Sequence, residues 1–295
     1  MGFRNILSGL ALGLPLVLGA IPSIPGFNLT WGEDFTGNAG SLPSPAHWII
    51  DTGHSYPGGP ANWGTGEIQA YTSSTNNLRL NGNGRLQIIA IRESHGGWTS
   101  ARIESQRADF VCRKGGKMRI EASLNLPAVP QPIGYWPAFW TLGAAYRGQY
   151  WNWPGIGEFD IMENVNGINR VWGVLHCGAN PGGPCFETDG RPNSRECPGA
   201  PCQGNLHTYT FEVDRTQQQL EAIRWFVDGI LFHQIVSTDL PPDTWAQAVH
   251  KPHFILLNLA IGGAFPNKNY GNTTPLPTTT SGGVLEAEYI AVYNN

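Results

Sequence analysis

Charge is scarce in this chain: only 14% of its 295 residues are Asp, Glu, Lys or Arg, and the net charge is −4. No run of Lys or Arg exists that could track a phosphate backbone, which excludes nucleic acid as a partner. No G-x-S-x-G elbow occurs, so Ser-His-Asp hydrolysis has no nucleophile to build on. Helical periodicity is nearly missing, and so is any apolar run long enough to cross a bilayer. The longest run, residues 6–19, is interrupted by Gly9, Gly13 and Pro15, follows Arg4 and ends beside the small Ala20. It reads as a secretory signal over residues 1–20 rather than a membrane anchor. The C-terminal "EAEYIAVYNN" lacks the hydrophobic tail of a lipid-anchor signal. Residues 21–295 are therefore expected to be one secreted domain, extracellular or in the cell wall, off the membrane once the signal is cleaved, and a monomer.

Cysteine is sparse too, with five residues. Cys177, Cys185, Cys197 and Cys202 fall in one Gly/Pro-rich insertion, without the tight spacing of a zinc knuckle. In an exported protein they are disulfide candidates, their connectivity open. Cys112 is left over, most simply as a buried free thiol on a strand. Asn28-Leu29-Thr30 and Asn272-Thr273-Thr274 are acceptor sequences for glycosylation at Asn28 and Asn272.

What the chain does hold is 38 Gly, 23 Pro and 11 Trp. Met118, Ile120, Ala122, Leu124 and Leu126 alternate with polar residues, the period of a half-buried strand. "HTYTFEVD" alternates likewise, "RLQIIAI" and "YIAVY" are further strands, and "IRWFVDGILFHQIV" is a hairpin about Asp228-Gly229. Only residues 242–250, "PDTWAQAVH", look helical. Many strands without crossover helices predict an all-β sandwich of two stacked antiparallel sheets, which if curved presents a concave groove.

The carboxylates concentrate in "GIGEFDIMEN", where Glu158, Asp160 and Glu163 sit among Phe159, Ile161 and Met162. Burying three acids so closely is costly unless they are paired, hydrogen-bonded or reactive. Alternation points Glu158 and Asp160 to one face, and Glu163 to the other. A β-bulge at Ile161 or Met162 would return Glu163 to its partners' face. The two glutamates would then stand about four strand steps of roughly 3.3 Å apart. Inward-leaning side chains can close that to the about 5–5.5 Å of a retaining glycosidase. Just upstream, Trp136, Trp140, Trp151 and Trp153 offer rings on which the apolar faces of sugars stack. A calcium site would need more oxygens than one strand supplies. A neutral-sugar binding module would have little use for three adjacent acids.

"GEFDIMEN" resembles the E-x-D-x-x-E signature of glycoside hydrolase family 16, in its laminarinase-like branch. The likeness runs in order through "WGTGEIQAYT", "TSARIESQ", "GKMRIEASLNLP", "YWPAFWTLG", "GVLHCG", "LHTYTFEVD", "IRWFVDG", "FILLNLAIGG" and "YIAVY". It implies a β-jelly roll and retaining endo-hydrolysis of β-linked glycan without a catalytic cofactor, structural calcium being known in some members. It further implies Glu158 as nucleophile, Asp160 as its helper, Glu163 as acid/base, and Trp136, Trp140, Arg102, His176 and Glu67 in the sugar subsites. One departure bears on substrate: the branch reads "GGNWPG" where this chain reads "GGAFPN", so Phe265 stands in place of a tryptophan. The expected activity is cleavage of internal β-1,3 linkages, in β-1,3-glucan or β-1,3(4)-glucan, with β-1,3-galactan hydrolysis or cell-wall transglycosylation as the alternatives.

Overall fold

Two-residue alternation becomes strand at Leu86–Arg92, Lys117–Asn125 and Leu206–Asp214 in the computed structural model, which describes residues 21–217 and 219–295. The signal assigned to residues 1–20 lies outside the described residues. Ala222–Val227 and Ile230–Val236 form the expected hairpin, with Asp228 at φ 48° and Gly229 at φ 73° supplying its turn. Both angles are positive, as a two-residue turn matched to strand twist requires. Pro242–Val249 is helical, with proline in its first turn, where a missing N–H costs nothing. A second helix, Ala264–Tyr270, was not expected. Its Pro266 also sits in the first turn and so does not break it, and Gly271, at φ 78°, closes it in the left-handed conformation. No helix among the described residues is long and apolar enough to cross a membrane.

Among the described residues the strands form a ten-stranded and a seven-stranded sheet, antiparallel apart from the short pairing of Ala70–Tyr71 with Trp98–Ser100. The smaller sheet runs Arg191–Arg195, Val171–His176, Glu158–Glu163, Tyr135–Gly143, His253–Ile261, Arg102–Ser105 and Trp48–Asp51. Phe139, Phe159, Leu175 and Leu257 on this sheet meet Ile120, Leu124, Phe211 and Trp225 on the larger one, and these make the core. The other face of the smaller sheet carries a separate aromatic layer: Tyr56, Trp63, Tyr71, Leu142, Phe254 and Leu256, with Trp140, Tyr150 and Trp153 against it. Alternate residues of the same strands thus build a closed core below and an aromatic floor above.

The bulge lies where it was expected. Asp160 pairs with Trp140 and Met162 with Phe139, two steps on one strand against one on its neighbour. Ile161 and Met162 are both fully buried in the core, each burial worth about 1.5–3 kcal/mol. Trp225, from the opposite sheet, donates its indole N–H to the Asp160 carbonyl at 2.8 Å. The ring can lie there because residue 173 is glycine: a Cβ would stand 2.6 Å from Trp225 Cδ1.

The insertion closes with two disulfides, Cys177–Cys185 and Cys197–Cys202. Cys112 is buried and free as expected, but it lies in the irregular segment before Lys117–Asn125 and not on a strand. Its Sγ is 3.5 Å from the Val213 carbonyl, so packing against a neighbouring strand buries it without strand pairing. Asn28 and Asn272 are both exposed.

Trp225→Phe keeps most of the apolar volume and removes the donor to Asp160. Loss of one buried hydrogen bond of this kind costs about 1–3 kcal/mol, and chemical denaturation should report that loss. An unchanged midpoint would mean that the bulge does not depend on this cross-sheet bond.

Candidate active site

Glu158, Asp160 and Glu163 all rise from the central strand onto the aromatic face, the first two by alternation and the third by the bulge. Each glutamate receives one indole N–H. Trp153 Nε1 donates to Glu158 Oε2 at 3.1 Å, and Trp136 Nε1 donates to Glu163 Oε1 at 2.9 Å. His176 lies opposite Glu158 in the register of the next strand. Its Nε2 is 3.3 Å from Asp160 Oδ2 and 3.9 Å from Glu158 Oε1, while Nδ1 is 2.7 Å from Glu187 Oε2. Asp160 Oδ2 is buried without an aligned hydrogen-bond partner, and the imidazole is the neighbour that faces it.

Crowding shifts the titrations. Burial, and then the charge of Asp160, lift the Glu158 carboxyl well above the usual carboxylate range, with His176 pulling the other way. The same two causes push Glu163 up to about 8, opposed by the Trp136 hydrogen bond and by His176. For His176, burial works against the charged form. The hydrogen bonds and charges of Asp160, Glu187 and Glu158 outweigh it and raise the imidazole well above its ordinary range.

The expected subsite residues divide into those at the surface of the floor and those beneath it. Trp136 and Trp140 are partly exposed, as sugar platforms must be. Arg102 is only 4% exposed: Nε bonds Asp51 at 3.0 Å, and the guanidinium lies 4.5 Å from the Trp63 ring and 4.9 Å from the Trp140 ring. Glu67 is buried as well, accepting from Tyr71 at 2.6 Å, Gln69 at 2.7 Å and Thr65 at 3.1 Å. Trp140 Nε1 donates to Asn258 Oδ1, Asn258 Nδ2 to Tyr71 Oη, and Tyr71 in turn to Glu67. Arg102 and Glu67 therefore brace the floor from below. Phe265, on the second helix, sits edge-on to Trp136 at 5.7 Å and to Trp172 at 5.5 Å. Trp151 stands 75% exposed, its indole tied to the Gly58 carbonyl at 2.8 Å.

Asn258, Trp172 and Glu187 were not anticipated. Two of them carried a signal: Asn258 is the lone polar residue in "FILLNLAI", and Trp172 shares by alternation the face of His176. Glu187 lies in irregular chain that no periodicity reads. Glu158, Asp160 and His176 offer atoms within 4.8 Å of one another. Two carboxylates and an imidazole under indole rings do not make the cage of roughly six to eight oxygens that calcium takes.

Comparison with known proteins bears on the family. A family model described as "XgeA-like, catalytic GH16 domain" matches residues 91–203. The β-glucanase of Rhodothermus marinus is 31% identical over 284 residues, covering 91% of this chain and 86% of that protein. The glucan endo-1,3-β-glucosidase A1 of Niallia circulans is 27% identical over 92% of this chain, which spans 38% of that longer protein. The crystal structure of endo-1,3-β-glucanase from Streptomyces sioyaensis superposes with a TM-score of 0.90 at 47% identity, covering 94% of this chain and 99% of that one. By fold, by site and by likeness along nearly its whole described length, the chain belongs to glycoside hydrolase family 16.

Proposed function

We propose that this protein is a secreted, retaining endo-β-1,3-glucanase. The observation that carries the reading is the pair of glutamates, each under its own indole donor, turned to one face by a single bulge. Glu158 attacks the anomeric carbon as the glycosidic bond breaks, while Glu163 delivers its proton to the departing oxygen. Glu163, now a carboxylate, takes a proton from water; that water attacks the same carbon and releases Glu158. Burial and Asp160 lift Glu158 as they lift Glu163; His176 and the Trp153 N–H work against that lift and favour the ionised form of Glu158, which is the attacking form. Glu163 has a neutral donor for company and is pushed up to about 8, which keeps it protonated and able to donate near neutrality.

The substrate reading rests on the named relatives and on Phe265. Its ring closes edge-on against Trp136 and Trp172, so the place of the usual tryptophan still holds an aromatic wall beside Glu163. That supports β-1,3-glucan over galactan. The test is oligosaccharide release from laminarin, mixed-linkage β-glucan and debranched β-1,3-galactan, with Glu158→Gln as control. Laminarin should be cut and Glu158→Gln should be inactive; release from galactan alone, or a fully active Glu158→Gln protein, would remove the reading.

Activity should be bell-shaped in pH, falling on the alkaline side as Glu163 loses its proton near 8 and on the acid side as Glu158 is protonated. A profile with a single limb would count against the two roles. The same titration bears on stability. Glu163 titrates near 8 in the fold against about 4.3 in an unfolded chain. Folding therefore favours its protonated form, and stability is lost as pH rises through this window. Glu163→Gln escapes that loss. Its Tm should exceed that of the wild type by a few degrees at pH about 8, with the gap closing by pH about 4. A gap that does not vary with pH would show that Glu163 carries no such penalty.

A further inference from the structure

The cysteine-bearing insertion reaches the site through one side chain that the mechanism above does not use. We propose that Glu187, two residues beyond the loop that the Cys177–Cys185 disulfide closes, is a positioning residue that holds His176 as an imidazolium facing Asp160 and Glu158. The proposal rests on the reading of Glu158 as nucleophile.

The Glu187 carboxyl is fully buried, and both of its oxygens are spent: Oε2 lies 2.7 Å from His176 Nδ1, and Oε1 accepts the Cys177 N–H at 2.8 Å. A carboxylate can only accept, so Nδ1 carries a proton. Nε2 is then the atom whose state is open, and it faces Asp160 at 3.3 Å and Glu158 at 3.9 Å. An acceptor behind and two carboxyls ahead, within ion-pair distance, favour the doubly protonated ring. The ring can lie there because residue 190 is glycine: a Cβ would stand 2.8 Å from its Cε1.

The loop is held at several points. Glu187 exchanges two backbone hydrogen bonds, at 2.6 and 2.7 Å, with Gly182, which lies inside the span that the disulfide ties back to Cys177. Asp189 pairs at 2.6 Å with Lys268, on the helix that carries Phe265. The charged groups facing His176 are Glu158, Asp160 and Glu163 from the adjacent strand and Glu187 from the loop, with the neutral Trp153 ring 5.5 Å away. Glu187 makes no hydrogen bond to either glutamate of the pair, and its own charge, the smallest of the named causes, pushes Glu158 up; its favourable effect runs through the imidazole, whose charge favours the ionised, attacking form of Glu158.

Glu187→Gln retains the size of the side chain and removes its charge. If the imidazolium is worth one pKa unit to Glu158, the acid limb of the profile moves up by about one unit and kcat on laminarin falls about tenfold at pH values on that limb, with KM little changed. Independently of any substrate, NMR of the ring nitrogens should find His176 doubly protonated at pH 7 in the wild type, with its titration moved down in the variant. That spectrum stands whether or not laminarin is cut, so a wrong substrate reading and a wrong role for Glu187 are told apart. If Glu187→Gln fails to fold, the wild-type spectrum alone decides. A neutral His176 at pH 7, or a variant of lower Tm whose acid limb and imidazole titration stay in place, would reduce Glu187 to a brace of the loop and overturn the proposal.

Discussion

Everything at this site depends on one residue too many in one strand. With regular pairing, Glu163 would enter the core between the sheets while Glu158 and Asp160 faced outward. Burying that carboxyl among Phe139, Phe159 and Phe211 would leave a charge without a partner, which costs far more than a bulge. With the extra residue, two consecutive apolar side chains, Ile161 and Met162, take the core side and Glu163 emerges beside Trp136. The bulge is anchored at its carbonyl by Trp225 and given room by Gly173. Geometry at the groove is thus set from the opposite sheet, and residues that cannot touch a substrate decide where the acids point.

The same insertion creates an electrostatic problem. Three carboxyls share one face, and His176 is the cation facing them. Such a cluster is a poor way to stabilise a fold, because burial raises the free energy of every charge it holds. It is an effective way to hold protons apart. One cation and two separate indole donors cannot serve both glutamates equally, and the inequality distinguishes a carboxyl near the imidazole from one beside a neutral N–H. Acid–base division follows from unequal neighbours.

How much of this was legible depended on whether a residue obeyed a period. Alternation sufficed for the strands, and for the bulge because Glu163 broke the pattern of Glu158 and Asp160. The hairpin at Asp228-Gly229 was legible from backbone preference alone. The second helix was hidden because a proline two places inside a helix looks, in sequence, like a breaker. Cys112 was legible as buried, yet the segment carrying it does not pair as a strand. Glu187 was out of reach: it meets His176 from irregular chain just beyond a disulfide-closed loop, and no local pattern records a contact of that kind. The donors to Glu158 and Glu163 were visible as tryptophans near acids, but which indole met which carboxyl was a matter of sheet register.

The aromatic floor shows why so many of its supports lie out of sight. A ring that stacks on sugar contributes most when binding does not have to immobilise it. Trp140 is held by Asn258, which is held by Tyr71, which is held by Glu67, while Arg102 lies against the ring and is itself fixed by Asp51. Glu67 and Arg102 are buried, and so their polar atoms must be satisfied by one another's neighbours rather than by water or substrate. The charged residues beneath the floor order Trp140 at folding, and on the proposed reading a sugar chain arriving in the groove would find its platform already in place without meeting them.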